Sequence, residues 1–148
     1  MLRGTSKLTV DAKGRLSLPA RYKSLFAEDE QHTFVITVDK ERCLLIYPLR
    51  NWELVEKRIE NLPNLNPEIR QYQRLILGYA HEVELDKNNR ILISKELRDF
   101  ASISKEVVLT GQGRKFELWD NALWDQKMNN WLEKSVNEIP EDLKNLTI

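Results

Sequence analysis

The feature that most limits what this chain can fold into is an internal duplication. Lys7-Leu-Thr-Val-Asp-Ala-Lys-Gly-Arg-Leu-Ser-Leu-Pro recurs as Glu82-Val-Glu-Leu-Asp-Lys-Asn-Asn-Arg-Ile-Leu-Ile-Ser, which sets Asp11 on Asp86 and Arg15 on Arg90. A sequence that repeats at such a distance uses one supersecondary unit more than once, each copy needing the other to bury its apolar face. The register then continues without a gap. Leu18, Tyr22, Leu25 and Phe26 fall on Ile93, Leu97, Phe100 and Ala101, the spacing of one face of a short helix. Pro19 and Ser94 stand where a first helical residue or an N-cap belongs. After a small length change, Phe34-Val-Ile-Thr-Val and Val107-Val-Leu-Thr-Gly read as buried strands. Arg42-Cys-Leu-Leu-Ile-Tyr pairs with Arg114-Lys-Phe-Glu-Leu-Trp, and Trp52 and Trp124 open the helix that follows each copy. Each unit is therefore strand, tight turn, strand, short helix, strand, turn, strand, helix. The expected fold is mainly β with helices, of the α+β class.

The tail helices differ between the copies. A helix over Asn51 to Leu62 puts Trp52, Val55, Ile59 and Leu62 on one side. Asn66-Pro67-Glu68 marks a second start, with Asn as cap and Pro at the first position, followed by the stripe Ile69, Tyr72 and Ile76 up to Gly78. After the second copy, Trp124, Met128, Trp131 and Leu132 form another stripe, and from Asn137 the chain turns into a polar, acidic, loosely held tail. The expected divisions are a first motif over 1–52, connecting helices over 53–77, a second motif over 78–124, and a C-terminal helix with acidic tail over 125–148.

The turns carry the functional signal. Gly14 takes a left-handed conformation without penalty, and Asp11 is placed to hydrogen-bond its own turn, so Lys13 and Arg15 project from a rigid tip. Two-stranded ribbons fit the DNA major groove, where Arg reads guanine edges with two donors. In the second turn Asn89 replaces the glycine and is the next most tolerant residue there. Over the whole chain 23 basic residues balance 23 acidic ones, which argues against a uniformly basic coat and leaves open a charge sorted by region. Residues 1 to 23 hold six basic residues against Asp11 alone, a net of +5; residues 78 to 100 hold four against five, a net of −1. Phosphate binding needs concentrated positive charge. The first copy is the better candidate for DNA, and the second for scaffold or subunit contacts. The bland alternative is that Arg15 only pairs with Asp11, but an exposed pair adds little stability. Arg21 and Lys23 suit solvent as well as phosphate.

At these residues the chain resembles the MraZ family. The resemblance rests on Arg3-Gly4, Asp-x-Lys-Gly-Arg-Leu-x-x-Pro-x-Arg-Tyr, Leu-Leu-Ile-Tyr-Pro-Leu with Trp52, Gln73-Arg74-Leu-Ile-Leu-Gly, and Lys115-Phe-Glu-Leu-Trp-Asp120. It covers nearly the whole chain, weakening beyond about Trp131. The resemblance implies a swapped-hairpin barrel related to AbrB and SpoVT DNA-binding domains, with two such motifs joined as an intramolecular pseudo-dimer. It implies ring-shaped homo-oligomers, and a transcriptional regulator acting at G-rich direct repeats in the promoter of the division and cell wall gene cluster. By the matching motif Lys13 and Arg15 are the DNA-contacting pair with Arg3 nearby. Lys7, Lys87 and Arg90 complete the candidate DNA-binding set, and Asp11, Gly14, Asp86 and Asn89 are the structural turn residues. The departure from the family pattern is Asn89, where the second motif often has glycine.

Other functions are weighed against this one. No nucleophile–base arrangement, Gly-rich phosphate loop or paired ligand cluster appears, so no enzyme is expected. Asp86-Lys-Asn-Asn-Arg lacks the glycine and terminal Glu of a calcium loop. One Cys and two separated His do not build a typical zinc site. Neither a cofactor nor a metal is expected. Cys43 reads as a packed hydrophobe, and a single cysteine suits a reducing compartment. The first residues lack an apolar signal core, and no apolar run is long enough to span a membrane. The expected location is the cytoplasm, at the nucleoid, with double-stranded DNA and further copies of the chain as partners. Trp52, Trp119, Trp124 and Trp131 read as core or subunit packing before base stacking. The competing function is a ring-forming assembly or partner-binding protein, or an antitoxin-like module.

Overall fold

The duplicated unit folds as two halves that exchange strands. The computed structural model describes residues 1–27, 32–134 and 139–146. The first half runs β1 (Thr5–Thr9), β2 (Arg15–Ser17), a 3-10 turn (Ala20–Tyr22) leading into α1 (Lys23–Ala27), β3 (Thr33–Val38), β4 (Leu44–Pro48) and α2 (Leu49–Glu60). Helix α3 (Pro67–Gly78) crosses to the second half, which runs β5 (His81–Glu84), β6 (Arg90–Leu92), α4 (Lys95–Phe100), β7 (Glu106–Gly111), β8 (Phe116–Asp120) and α5 (Asn121–Lys134). A short α6 (Glu141–Lys144) follows. The order of elements is the one the repeat predicts.

Six strands pair antiparallel in the order β1-β7-β8-β4-β3-β5, and β2 pairs with β6 in a separate ribbon. Exchanging β1 with β5, β3 with β7 and β4 with β8 reproduces the same order read backwards. The halves are thus related by a pseudo-two-fold, which passes the Leu45–Glu117 pair between β4 and β8 and the Leu16–Ile91 pair between β2 and β6. Strand β1 pairs with β7 of the other half, Thr5 opposite Thr110, and β5 pairs with β3, Val83 opposite Phe34. That exchange is the swapped-hairpin arrangement. The pairing gives two sheets sharing a core; it does not by itself close a ring of strands, because β1 and β5 stand at opposite ends of the larger sheet.

Leu16 and Ile91 turn inward from the ribbon and are fully buried, with Ile93 and Leu97, against Ile36, Leu44, Ile46, Phe116 and Leu118 of the large sheet. Tyr22 meets the edge of Phe116 at 4.8 Å and Phe26 that of Phe34 at 5.0 Å. The opposite face of the sheet, Val35, Leu45, Tyr47, Val108 and Trp119, is covered by Trp52, Ile59 and Ile76 from α2 and α3. Both faces are covered, which is why β3 and β4 read as continuous apolar runs rather than alternating ones. Leu25 departs from its expected place in the core: it is 48% exposed. Helix α1 has five residues, and Phe26 takes the side that faces the sheet.

The helix starts follow their caps. Asn66 Oδ1 accepts from the Glu68 N–H at 2.9 Å, with Pro67 at the first position, and Ser94 Oγ accepts from the Leu97 N–H. Helix α2 begins two residues ahead of the expected Asn51, directly after Pro48, whose φ of −55° leads into the first turn. Trp52 and Trp119 are buried and Trp124 packs beside them, whereas Trp131 is 58% exposed. Asn137, where the acidic tail was expected to begin, lies outside the described residues; further on, Glu141–Lys144 is helical.

Candidate nucleic-acid interface

Each hairpin tip is tied by one aspartate. Asp11 Oδ1 accepts from the backbone N–H of Lys13 and of Arg15, both at 2.9 Å, and Oδ2 accepts from Arg15 Nε at 2.7 Å. The Gly14 N–H returns to the Asp11 carbonyl at 2.9 Å, with Gly14 at φ +86°. The second tip repeats the set. Asp86 Oδ1 accepts from Asn88 and Arg90 N–H at 2.8 and 2.9 Å, Oδ2 accepts from Arg90 Nε at 2.9 Å, and Asn89 sits at φ +58°. The substitution of Asn for Gly therefore preserves the turn. Both carboxyls are held below the ordinary carboxylate range, first by the backbone N–H of the arginine four residues on.

These bonds preorganise the arginines. Asp fixes Nε, and among the described residues no hydrogen bond engages the two terminal nitrogens of either guanidinium. A group held in place loses less freedom when it binds, and a planar fork with two free donors suits guanine edges or a phosphate.

The two tips meet. The Ile93 N–H donates to the Gly14 carbonyl at 2.8 Å, and the Leu18 N–H donates to the Asn89 carbonyl at 2.9 Å. Under the pseudo-two-fold these are the same bond made twice. Ribbon pairing then sets Arg15 opposite Leu92 and Arg90 opposite Ser17. With Leu16 and Ile91 inward, alternation turns Arg15, Ser17, Arg90 and Leu92 to the other face. Both candidate arginines thus occupy one outward surface, as diagonal neighbours roughly 7–8 Å apart. The sequence divided reading and scaffold roles between the copies; the fold sets their arginines side by side.

The remaining candidates surround this ribbon. Lys13 and Lys87 are exposed on their tips, which lie toward opposite ends of the antiparallel ribbon. Lys7 is exposed on β1 and, with Ser17, lines an open groove. Arg3 is exposed, and its carbonyl accepts from the buried Tyr22 hydroxyl. Arg21 is anchored: Nη2 donates to Ser6 Oγ at 2.6 Å and the guanidinium covers the Tyr22 ring at 4.8 Å. Arg98 Nε donates to the Ile93 carbonyl and lies against Gly14, so it buttresses the tip. Cys43 is buried at no exposure, and that burial raises its thiol far above the ordinary range. Among the described residues no three His, Cys, Asp or Glu side chains cluster as a metal site would need, and no helix is long and apolar enough to cross a membrane.

Sequence reasoning missed three features. Asp39 ties a third turn of the same kind, accepting from the Glu41 N–H at 2.9 Å with Arg42 at φ +73°; the signal was an Asp three residues before the left-handed position, as in both tips. Ser17 and Leu92 were also missed. Their partnership with the arginines exists only once β2 pairs with β6.

Comparison with known proteins gives a consistent result. The family model described as "MraZ protein, putative antitoxin-like" matches twice, over residues 1–75 and 76–146. The chain is 47% identical, over all 148 residues of both proteins, to the "Transcriptional regulator MraZ" of Nitrosomonas europaea. It is 43% identical to the protein of that name in Coxiella burnetii strain Dugway 5J108-111 and 40% identical to that in Legionella pneumophila strain Corby, with both chains fully covered.

Proposed function

The chain belongs to the MraZ family, and on that premise we propose that it is a DNA-binding transcriptional regulator that uses the outward face of the β2–β6 ribbon. The observation that carries the reading is the pair of Asp-anchored arginines, Arg15 and Arg90, on one ribbon. Lys13, Lys87, Lys7 and Arg3 supply phosphate contacts around it, and Asp11, Gly14, Asp86 and Asn89 hold the tips. The relatives carry the name of regulators, not of enzymes. The target is G-rich direct repeats in the promoter of the division and cell wall gene cluster, met in the cytoplasm at the nucleoid. One ribbon buries little surface and binds weakly alone. A ring-shaped homo-oligomer that presents several ribbons to evenly spaced repeats raises avidity by orders of magnitude without new contacts.

The test is a mobility-shift titration on DNA upstream of the chain's own gene. Arg15→Ala is expected to remove the specific shift while the oligomer, checked by size-exclusion chromatography, is unchanged. Wild-type affinity must fall steeply with salt, because phosphate contacts release counterions. A salt-indifferent complex, or a specific shift retained by Arg15→Ala, favours the competing partner-binding or antitoxin-like role; the family description carries the words "antitoxin-like".

A further inference from the structure

We propose that Ser17 and Leu92 are specificity-determining residues that give the ribbon a direction on DNA. The inference rests on the DNA reading above and deepens it. The pseudo-two-fold that relates the halves exchanges Arg15 with Arg90 and Ser17 with Leu92. The arginines are identical and are held by the same aspartate bonds, so the pair they form is symmetric. The other two are not: one is a small hydroxyl residue and the other a branched hydrocarbon, 53% exposed.

An exposed leucine on a ribbon between two charged groups gains nothing from water, and Leu92 belongs to neither core cluster. In a major groove it has a partner, because the thymine methyl is the apolar feature there, whereas a hydroxyl accepts several edges. Diagonal arginines roughly 7–8 Å apart span about two base steps of 3.4 Å. Leu92 lies opposite Arg15 and Ser17 opposite Arg90. The base pairs on either side of the arginine-read pair therefore meet different chemistry. A symmetric head would read a palindrome; this one reads an element with a defined left and right.

The experiment is selection from a pool of randomised duplex DNA, with wild type, Ser17→Leu, Leu92→Ser and the double exchange compared as full-length proteins. Both positions are exposed, and circular dichroism confirms that each variant folds. Wild type is expected to select a non-palindromic element with thymine on the Leu92 side. Leu92→Ser should lower that thymine preference by about fourfold, the worth of one buried methyl group. The double exchange should move the preference to the other side. If all four proteins select the same element, the inference is wrong and the DNA reading stands. If wild type selects nothing at low salt, the DNA reading fails and this inference with it.

Discussion

Asp11 and Asp86 each make three hydrogen bonds with one carboxylate, two to backbone N–H groups and one to an arginine. All three favour the charged form. The folded pKa of each is therefore below its ordinary 3.8, and the turn's support is present above that value and lost as the pH falls through the lower folded pKa. Carbon-detected NMR titration should find both side chains with midpoints under 3.8, and the Arg15 and Arg90 Nε–H signals should shift along the same curves. A midpoint at or above 3.8 would show that the aspartates do not hold the tips in solution. Both stay ionised at neutral pH, so binding there is expected not to vary with pH through these two groups. At this scale the sequence was readable: Asp at the turn start and Arg four residues later named the pair. The division of the guanidinium between Nε and the terminal nitrogens was not readable, because it depends on side-chain geometry rather than residue type.

At the scale of the hairpin, Gly14 and Asn89 are not equivalent despite their shared turn. A Cβ built on Gly14 would approach the Ile93 carbonyl oxygen to 2.7 Å, and its φ is +86°. Gly14→Ala is expected to destabilise the protein by about 1–3 kcal/mol, the usual cost of a residue held in a sparsely populated region. Asn89→Gly should change stability by less than about 1 kcal/mol, since glycine reaches the same conformation freely but adds disorder to the unfolded chain. Denaturant melts of the two variants separate strain from mere turn preference; equal effects would contradict the close approach. The left-handed turn was legible from Gly and Asn. The clash was not, because Ile93 is 79 positions away in a chain whose halves had first to pair. The same holds for Leu25: helical spacing marks it as core, yet only one side of a five-residue helix meets the sheet. Arg42 was illegible for another reason. Arg is disfavoured at positive φ, so propensity pointed away from the turn that Asp39 builds.

For the molecule as a whole, the strand order was the hidden part. Duplication was plain in the sequence, but a repeat fits two separate domains as well as two exchanged halves. The choice is made by β1 pairing with β7 and β3 with β5. A fragment of residues 1–78 keeps β1 and β3 but loses β7 and β5, so β1 has no partner and β3 keeps β4 alone. It is expected not to be a folded monomer, and mixing with residues 79–148 should restore the native circular dichroism spectrum. A monomeric fragment with a cooperative melt would argue against the exchange. The same pairing sets the order in which the molecule can be made. The Thr5 and Thr110 hydroxyls bond across 105 residues, so the first tip waits for most of the chain to leave the ribosome. At ordinary synthesis rates that delay is roughly 5–20 s. A chain cut short before Gly111 carries the first tip's residues in full yet lacks the complete strand that fixes β1 in place.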